Sequence, residues 1–273
     1  EENIMVTVLN RARSLRAKLA SGKILFGTHI VNTDLQLIEL IAGAGFDYLW
    51  IDTEHSQADK KDIHNTLIAT RAAGTDVATF IRVANIDPVL VKPLLEMGPT
   101  GIVFPGAQSA EDVRKAVAAC CYPPTGVRGF GPRACIRYGQ EDMAEYVNNN
   151  EEAVFKIIQL EHKLAYEDLD NILAVEGVDA FIIGANDLAA SYGHYRNWKH
   201  PEVMAVIDDM IKRAHAAGKY IGVSTGPYDT DFLHGWMDKG IDMISVANEN
   251  MYISAGCKAA LANMNTVAKE LGR

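Results

Sequence analysis

Short apolar runs alternate with segments of helical spacing along most of the chain. Three of the runs follow one phrase, in which a glycine ends a helical pattern, an aspartate follows two residues later and an apolar run begins. The copies start at Gly45, Gly177 and Gly240. Glycine is common just past the end of a helix, and an uninterrupted apolar run is typical of a strand buried on both faces. The phrase therefore predicts a helix followed by a strand of a parallel sheet.

Eight apolar runs predict eight strands, and amphipathic segments fill most of the gaps between them. Strands that alternate with helices form a parallel sheet, and about eight such units favour a closed barrel over an open sheet. We therefore predict an α/β fold, the (β/α)₈ TIM barrel. The predicted strands are 25–28, 48–52, 78–83, 101–104, 155–160, 180–183, 220–223 and 243–246. The predicted helices between them are 34–44, 59–73, 88–97, 110–119, 166–175, 201–217 and 231–239.

The two ends of the chain predict further helices, so that residues 1–273 form a single barrel domain. Helical spacing over 5–19 places an N-terminal helix within 1–22, and the barrel itself occupies 23–249. An alanine-rich amphipathic pattern makes 250–273 a long C-terminal helix. A barrel of this type needs about 250 residues, which the length of the chain allows.

The longest connection, 122–152, contains two consecutive prolines, several glycines, and the arginines Arg128 and Arg133. A connection of this length inside a compact domain is usually functional or disordered. Its arginines are expected to cap the active site, to contact a neighbouring subunit or to be solvated.

Composition and charge exclude several classes of partner. Hydrophobic residues make up 48% of the chain and charged residues 22%, which is typical of a soluble globular protein. The net charge is −9 at pH 7 and the basic residues are dispersed, which argues against nucleic acid and against an anionic membrane surface. No run approaches the ~18 apolar residues of a membrane span. The four cysteines lack the spacing of a zinc site, so reduced thiols and a cytoplasmic location are expected.

Polar side chains follow several of the predicted strands. Barrel enzymes build their active sites at the carboxyl ends of the strands, so these side chains are expected to converge on one rim. Two carboxylates, a guanidinium and an imidazole in one place would form a site capable of acid–base chemistry. The residues concerned are Asp52 and His55 after the second strand, Arg82 at the third, Gln159 and Glu161 at the fifth, and Asp187 after the sixth.

The phrases around these strand ends resemble the HpcH/HpaI aldolase family, the class II pyruvate aldolases of the phosphonopyruvate/pyruvate superfamily. The matching phrases occur in family order and extend over roughly residues 22–247; they are 42–47, 51–55, 122–129, 159–161, 175–179 and 183–188. The resemblance implies a carbon–carbon lyase that needs one divalent cation, Mg²⁺, Mn²⁺ or Co²⁺. It also implies a homo-oligomer, a hexamer built from dimers that exchange the C-terminal helix.

Glu161 and Asp187 are the metal ligands that the resemblance implies. Hard divalent cations prefer carboxylate oxygens, and a site with open positions leaves room for water and substrate. The alternative for each acid alone is a helix cap or a solvated loop residue.

Three residues receive catalytic roles by resemblance. Arg82 would donate to the keto oxygen of the substrate as negative charge develops there, a role that suits a planar and permanently charged group. His55 would act as the general base on the C4 hydroxyl, with Asp52 holding and polarising the imidazole. The alternatives are an ion pair across the barrel mouth for Arg82 and a structural histidine at position 55.

A further set of residues is expected to bind substrate. Gln159 precedes Glu161 by two positions, so both side chains point to the same side of the sheet. Backbone N–H groups after the sixth strand open a helix and could receive the pyruvate carboxylate. Those residues are Gly184, Ala185, Asn186 and Asp187.

Two histidines carry no assigned role at this point. His29 ends the first strand, where it either lines the pocket or is structural. His162 follows Glu161 at a position where the family usually has threonine, and Ala185 stands where the family often has proline.

The function that the resemblance implies for these residues is reversible cleavage of a 4-hydroxy-2-oxo acid to pyruvate and an aldehyde. Substrates of the 4-hydroxy-2-oxoheptanedioate or 2-keto-3-deoxy-sugar-acid type are expected. No lysine ends a predicted strand, which favours the metal route over a Schiff base. The alternatives are an oxo-acid decarboxylase or citrate-lyase-β-like acyl-CoA lyase on the same metal site, and a non-catalytic barrel that binds metal and oxo acid.

Overall fold

A computed structural model describes residues 7–273. Eight parallel strands form a closed barrel in sequence order, with the first strand paired to the last, as the sequence predicted. Four of the predicted strands have the observed bounds, and the other four differ by one or two residues at their carboxyl ends. The strands are β1 Leu25–Ile30, β2 Tyr48–Asp52, β3 Ala78–Arg82, β4 Gly101–Phe104, β5 Phe155–Leu160, β6 Ala180–Ile183, β7 Tyr220–Ser224 and β8 Met243–Asn248.

Helices cover the outside of the barrel. The predicted N-terminal helix begins at Val8, and the residues of that prediction before position 7 lie outside the described part of the chain. The helices are α1 Val8–Ala20, α2 Leu35–Ala42, α3 Lys60–Ala72, α4 Pro88–Glu96, α5 Ala110–Cys120, α6 Met143–Asn148, α7 Asn150–Ala153, α8 Lys163–Glu167, α9 Leu169–Leu173, α10 Ala185–Ser191, α11 Pro201–Ala216, α12 Thr230–Met237 and α13 Glu249–Glu270. Among these helices, none of the described residues forms a segment long and apolar enough to cross a membrane.

The repeated glycine–aspartate phrase has a structural cause at the bottom of the barrel. The glycines have φ values of +97°, +83° and +85°, which glycine adopts without steric cost. Each aspartate carboxylate accepts the N–H of the second residue of the preceding strand, at distances of 2.7–2.8 Å. The phrase therefore ends a helix and fastens the new strand to its neighbour. The aspartates are Asp47, Asp179 and Asp242.

Alternate residues of each strand point into the barrel, where aromatic side chains fill the lower layers. The ring of Phe80 lies 4.9 Å from that of Tyr48 and 5.2 Å from that of Phe155. The same alternation directs the last inward-facing residues of the strands to the barrel mouth. These residues are His29, Asp52, Arg82, Gln159 and Ser224.

The predicted helix 166–175 is two short helices, α8 and α9, that meet at Asp168. The backbone of Asp168 has φ −98° and ψ 14°, which interrupts the helical pattern. Its carboxylate accepts the N–H of Ala110, the first residue of α5, at 2.7 Å and the side-chain amide of Asn171 at 2.6 Å. The break therefore places Asp168 where it connects α9 to α5.

The connection 122–152 is structured and is anchored by Arg128. Its guanidinium is fully buried, donates to Glu96 and to the hydroxyl of Tyr146 at 3.0 Å each, and lies 4.5 Å from the centre of the Tyr122 ring. Burial would lower the pKa of Arg128, but the neighbouring tyrosines and Glu96 raise it above the usual value. Arg128 is thus a buried anchor and not a solvated loop residue, whereas Arg133 is exposed.

The C-terminal helix α13 leaves the barrel after β8 with nearly all of its side chains exposed. Large apolar residues occur along it, including Leu261, Met264 and Val267, each more than half exposed. A 22-residue helix with this apolar surface buries little against its own barrel.

Candidate active site

Arg82 is held at the barrel mouth by two carboxylates. Its Nε and Nη2 donate to Asp52 at 2.9 and 2.6 Å, and its Nη1 lies 3.0 Å from Glu54. Its guanidinium also lies 5.6 Å from the centre of the Trp50 ring, which is fully buried. A guanidinium has five N–H groups and Asp52 accepts from two of them, so donors remain for a ligand.

Asp52 and Arg82 stabilise each other in the charged form. Burial alone would raise the pKa of Asp52, but the hydrogen bonds and the charge of Arg82 lower it below the usual value. Burial would lower the pKa of Arg82, yet Asp52, Glu54 and Glu161 raise it. The Arg82 guanidinium is therefore a fixed positive charge at the mouth of the barrel.

The expected pairing of Asp52 with the imidazole of His55 requires a correction. Within residues 7–273, Asp52 reaches His55 only through the backbone N–H, at 3.4 Å, while its carboxylate is paired with Arg82. The His55 side chain is 68% exposed, and its Nε2 lies 3.9 Å from Glu54. The tight turn after β2 explains this, because Asp52 also accepts the N–H of Glu54 and so directs its oxygens to the backbone and to β3.

Glu161, which follows β5, lies close to two other acids of the mouth, Asp187 and Glu54. Its Oε1 accepts the N–H of Gly106 at 2.6 Å, and its Oε2 accepts the side-chain amide of Gln159. Burial, together with the negative charges of Asp187 and Glu54, raises the pKa of Glu161 to about 7. A bound cation would offset the desolvation cost of the charged Glu161 carboxylate and the repulsion among the three acids.

Gly184 leaves the space that this arrangement requires. A Cβ at position 184 would lie 2.7 Å from Oε2 of Glu161 and 2.9 Å from Nε2 of Gln159, both closer than atoms can approach. The Oε1 of Gln159 is buried and has no hydrogen-bond partner among the described residues. The amide therefore retains a free acceptor next to the Glu161 carboxylate.

The helix α10 begins beside these acids. Ala185 is buried, while Asn186 and Asp187 are exposed in the first turn, and Gly184 provides no side-chain cap. The first N–H groups of a helix lack partners within the helix and favour an anion. The four residues predicted to bind the pyruvate carboxylate thus lie together at this end of the site.

His29 lies deep in the mouth and is fully hydrogen-bonded. Its Nδ1 lies 2.7 Å from the carbonyl oxygen of Ala247 and its Nε2 lies 2.8 Å from Oγ of Ser224. The imidazole packs edge-on against Trp50, with ring centres 5.5 Å apart. Loss of solvation lowers the pKa of His29 below its usual value.

His162 is the N-cap of α8. Its Nδ1 accepts the N–H of Leu164 at 3.2 Å. Threonine is a good N-cap, so histidine here performs the same local task as the residue that the family usually has. The side chain is therefore committed to the helix end.

A separate group of potential ligands, His194, His200 and Glu202, lies at the start of α11. The two imidazole rings stack with centres 3.5 Å apart and planes inclined by 15°. An ion must lie close to the plane of each ligating imidazole, which two nearly parallel rings at this spacing do not permit. His200 is instead the N-cap of α11 and accepts the N–H of Glu202.

Glu54 is a site residue that the sequence analysis did not identify. Glu54 carried a local signal, because it lies between Asp52 and His55 directly after a strand. Ser224 directly follows the predicted strand 220–223 and is the last residue of β7. Its contact with His29 of β1 depends on the closure of the barrel, for which the local sequence has no signal.

Comparisons with known proteins place this arrangement among aldolases. The family model described as HpcH/HpaI aldolase/citrate lyase matches residues 26–255. The chain is 35% identical to a 2-dehydro-3,6-dideoxy-6-sulfogluconate aldolase of Pseudomonas putida, over 82% of this chain and 86% of that protein. It is 33% identical to a 4-hydroxy-2-oxovalerate aldolase of Rhodococcus jostii, over 93% and 97%.

A solved structure agrees with these matches. The crystal structure of an HpcH/HpaI aldolase/citrate lyase family protein from Burkholderia cenocepacia superposes with a TM-score of 0.86 at 28% identity, covering 92% of this chain and 99% of that one. The resemblance stated from the sequence is thus confirmed, as is the class of enzyme, a carbon–carbon lyase of the aldolase type. The protein belongs to the HpcH/HpaI aldolase/citrate lyase family.

Proposed function

We propose that the protein is a metal-dependent aldolase that reversibly cleaves a 4-hydroxy-2-oxo acid to pyruvate and an aldehyde. The observation that carries the proposal is Arg82, held by Asp52 and Glu54 and facing the acids around Glu161. Relatives named for 4-hydroxy-2-oxovalerate and for 4-hydroxy-2-oxo-heptane-1,7-dioate act on substrates of this class.

Glu161 and Asp187 are the residues that would hold a divalent cation. The buried Glu161, its raised pKa, the free acceptor of Gln159 and the space left by Gly184 all fit such an ion. When bound, Mg²⁺, Mn²⁺ or Co²⁺ would act as a Lewis acid on the keto group of the substrate.

Arg82 stabilises the negative charge that develops on the keto oxygen when the C3–C4 bond breaks. The N–H groups that do not donate to Asp52 supply the donors, and the contacts with Asp52 and Glu54 fix the orientation of the guanidinium before the substrate arrives. A preorganised donor of this kind is usually a large contribution to catalysis.

His55 accepts the proton of the C4 hydroxyl, and the aldehyde then leaves. The exposed imidazole lies beside Glu54, whose carboxylate takes the orienting role that was expected of Asp52. The first turn of α10, from Gly184 to Asp187, receives the carboxylate of the oxo acid, and Gln159 orients its neighbour Glu161. Protonation at C3 completes the formation of pyruvate.

The oligomer is part of the proposal. The exposed apolar residues of α13, such as Leu261 and Met264, need a covering surface, and a second copy of the chain would supply it by exchange of this helix. We expect a hexamer built from such dimers.

The test is a pyruvate-release assay over a panel of 4-hydroxy-2-oxo acids, with and without EDTA. Cleavage should require a divalent ion and should be lost in Glu161→Gln, whereas the control Glu176→Gln, an exposed residue away from the mouth, should keep it. Full cleavage of the carbon–carbon bond by His55→Ala would favour a decarboxylase or an acyl-CoA lyase instead. Binding of Mn²⁺ and pyruvate without turnover of any substrate would favour a non-catalytic binding barrel.

A further inference from the structure

The part of the mouth formed by β7, β8 and β1 carries a second polar pair, His29 and Ser224. Both residues are the last inward-facing positions of their strands, β1 and β7, and both are half-buried. The strand between them in the barrel, β8, supplies the carbonyl of Ala247 that contacts His29. The proposed roles of Arg82, His55 and Glu161 do not use this pair.

The contacts of His29 determine which atom donates. A carbonyl oxygen only accepts, so Nδ1 of His29 carries a proton and donates to Ala247 over 2.7 Å. The neutral imidazole then has a lone pair at Nε2, and the hydroxyl of Ser224 must donate its only proton to it over 2.8 Å. The oxygen of Ser224 consequently presents lone pairs, and no proton, to the mouth of the barrel.

The backbone around Ala247 maintains this arrangement. Ala247 has a φ of +44°, which is unfavourable for a residue with a Cβ, and the register between β1 and β8 shifts between Thr28 and His29. The irregularity directs the Ala247 carbonyl at the imidazole. Strained backbone of this kind is concentrated at functional sites, where the surrounding structure over-determines it.

We propose that Ser224 is the acceptor for a hydroxyl group of the aldehyde half of the substrate, with His29 as the positioning residue that fixes it as an acceptor. The inference rests on the proposed aldolase function and extends it to the class of aldehyde. Pyruvate has no hydrogen-bond donor, and its oxygens are assigned to the metal, Arg82 and the start of α10. The partner that fits Ser224 is therefore a hydroxyaldehyde, in which the carbon next to the carbonyl carries an O–H group.

A comparison of two aldehydes of equal size tests the contact with Ser224 independently of the other contacts of the substrate. Glycolaldehyde and propanal have the same number of heavy atoms and differ by a hydroxyl in place of a methyl group. Both would undergo the same addition: C3 of pyruvate loses a proton and bonds to the aldehyde carbon, and the aldehyde oxygen gains a proton. The C4 hydroxyl is common to both products, so only the additional hydroxyl can distinguish them.

The experiment compares kcat/KM for the two aldehydes in the metal-loaded enzyme. The wild-type protein should prefer glycolaldehyde, and Ser224→Ala should reduce that preference by about tenfold, the effect of one hydrogen bond. The matched control is Ser245→Ala, which removes a hydroxyl from the neighbouring strand at a fully buried position. This control should keep the wild-type ratio.

Two variants test the positioning role of His29. Gln in place of His29 can offer a carbonyl oxygen to the Ser224 hydroxyl, so His29→Gln should retain most of the preference. His29→Phe removes the acceptor and frees the hydroxyl to rotate, so it should lose the preference about as fully as Ser224→Ala. A purely structural role would reduce the rate with both aldehydes equally in both variants.

Exchange of the C3 hydrogens of pyruvate in D₂O distinguishes the two levels of the proposal, because it needs no aldehyde. If Ser224→Ala exchanges normally and its preference is unchanged, the subsite is refuted and the aldolase proposal stands. If the wild-type protein with Mn²⁺ neither exchanges pyruvate nor adds aldehydes, the aldolase proposal fails, and the subsite fails with it.

Discussion

Asp52 and Arg82, the last residues of two adjacent strands, form a two-pronged ion pair with N···O distances of 2.9 and 2.6 Å. The register of the barrel places them opposite each other, so the pair follows directly from strand pairing. Two parallel hydrogen bonds fix the plane of the guanidinium as well as its position. The side chain that we propose as the donor to the developing charge is thus oriented before the substrate binds.

Asp52→Asn should therefore slow catalysis more than it weakens binding. The amide keeps the shape of the side chain but can accept at only one oxygen, so the plane of Arg82 is no longer fixed. We expect kcat to fall by at least tenfold with little change in the affinity for Mn²⁺, measured by steady-state kinetics and calorimetry. The control is Asp142→Asn, at an exposed helix cap where asparagine serves equally well. Equal losses in kcat and in metal affinity would contradict the assignment.

Gly184→Ala should damage the metal site without unfolding the barrel. The added Cβ would press on Glu161 and Gln159, so these side chains must move apart. We expect weaker binding of Mn²⁺, by at least tenfold, and a matching loss of activity, with an unchanged circular dichroism spectrum. Gly235→Ala is the control, because it lies in α12 with open space around it and should be neutral or slightly stabilising. Wild-type metal affinity in Gly184→Ala would refute this account of the site.

Metal affinity should depend on pH around neutrality. The metal-free Glu161 has a pKa raised to about 7, so below this pH the cation must displace a proton from it. The apparent Kd for Mn²⁺ should weaken about tenfold for each unit below pH 7 and should level off above it. Titration calorimetry in two buffers of different ionisation enthalpy would detect the released proton. An affinity that is the same at pH 5.5 and pH 7.5 would contradict the prediction.

Arg128→Met should destabilise the protein strongly. The substitution keeps the bulk of the side chain but leaves Glu96 and Tyr146 without their buried partner. Removing one member of such a pair costs roughly 3–5 kcal/mol, which corresponds to a decrease in Tm of about 10 °C for a domain of this size. Thermal unfolding of Arg133→Met, at an exposed position of the same connection, provides the comparison and should show a shift below about 2 °C.

Leu261→Glu should dissociate the oligomer. A charge in the apolar surface of α13 would be buried against the partner in an exchanged pair of helices, at a cost that weakens association. Analytical ultracentrifugation should find a multiple of 29.8 kDa for the wild-type protein and a smaller species for the variant. Lys258→Glu, a change on an already polar position of the same helix, should keep the larger species. A monomeric wild-type protein would exclude the exchanged dimer.

The strands were predictable because each is a short apolar run with a glycine–aspartate phrase or a polar residue at its boundary. Strand β5, for example, has the predicted bounds 155–160. The break between α8 and α9 was missed, because it depends on a hydrogen bond that Asp168 accepts from Ala110, 58 positions earlier in the chain. The small helices within 122–152 were missed for a related reason, since the buried Arg128 organises that connection through distant contacts.

The residues at the barrel mouth could be predicted from the sequence, but the hydrogen bonds and ion pairs between them could not. Asp52, Arg82 and Glu161 were expected at one mouth because alternate residues of a strand face the barrel interior and the carboxyl ends of all strands lie at the same rim. Which carboxylate pairs with Arg82 depends on the turn after β2, where Glu54 and His55 donate their backbone N–H groups to Asp52. The contact of His29 with Ser224 depends on ring closure, which no segment of the sequence specifies by itself.

Trp50 lies between Arg82 and His29 and contacts both side chains. Arg82 lies over its ring and His29 packs against its edge, yet within residues 7–273 no hydrogen bond joins the two. If the proposed subsite is correct, changes at positions 29 and 224 should alter which aldehyde is accepted and leave the chemistry on the pyruvate side unchanged. One barrel can diverge in this way toward new substrates without first losing its reaction.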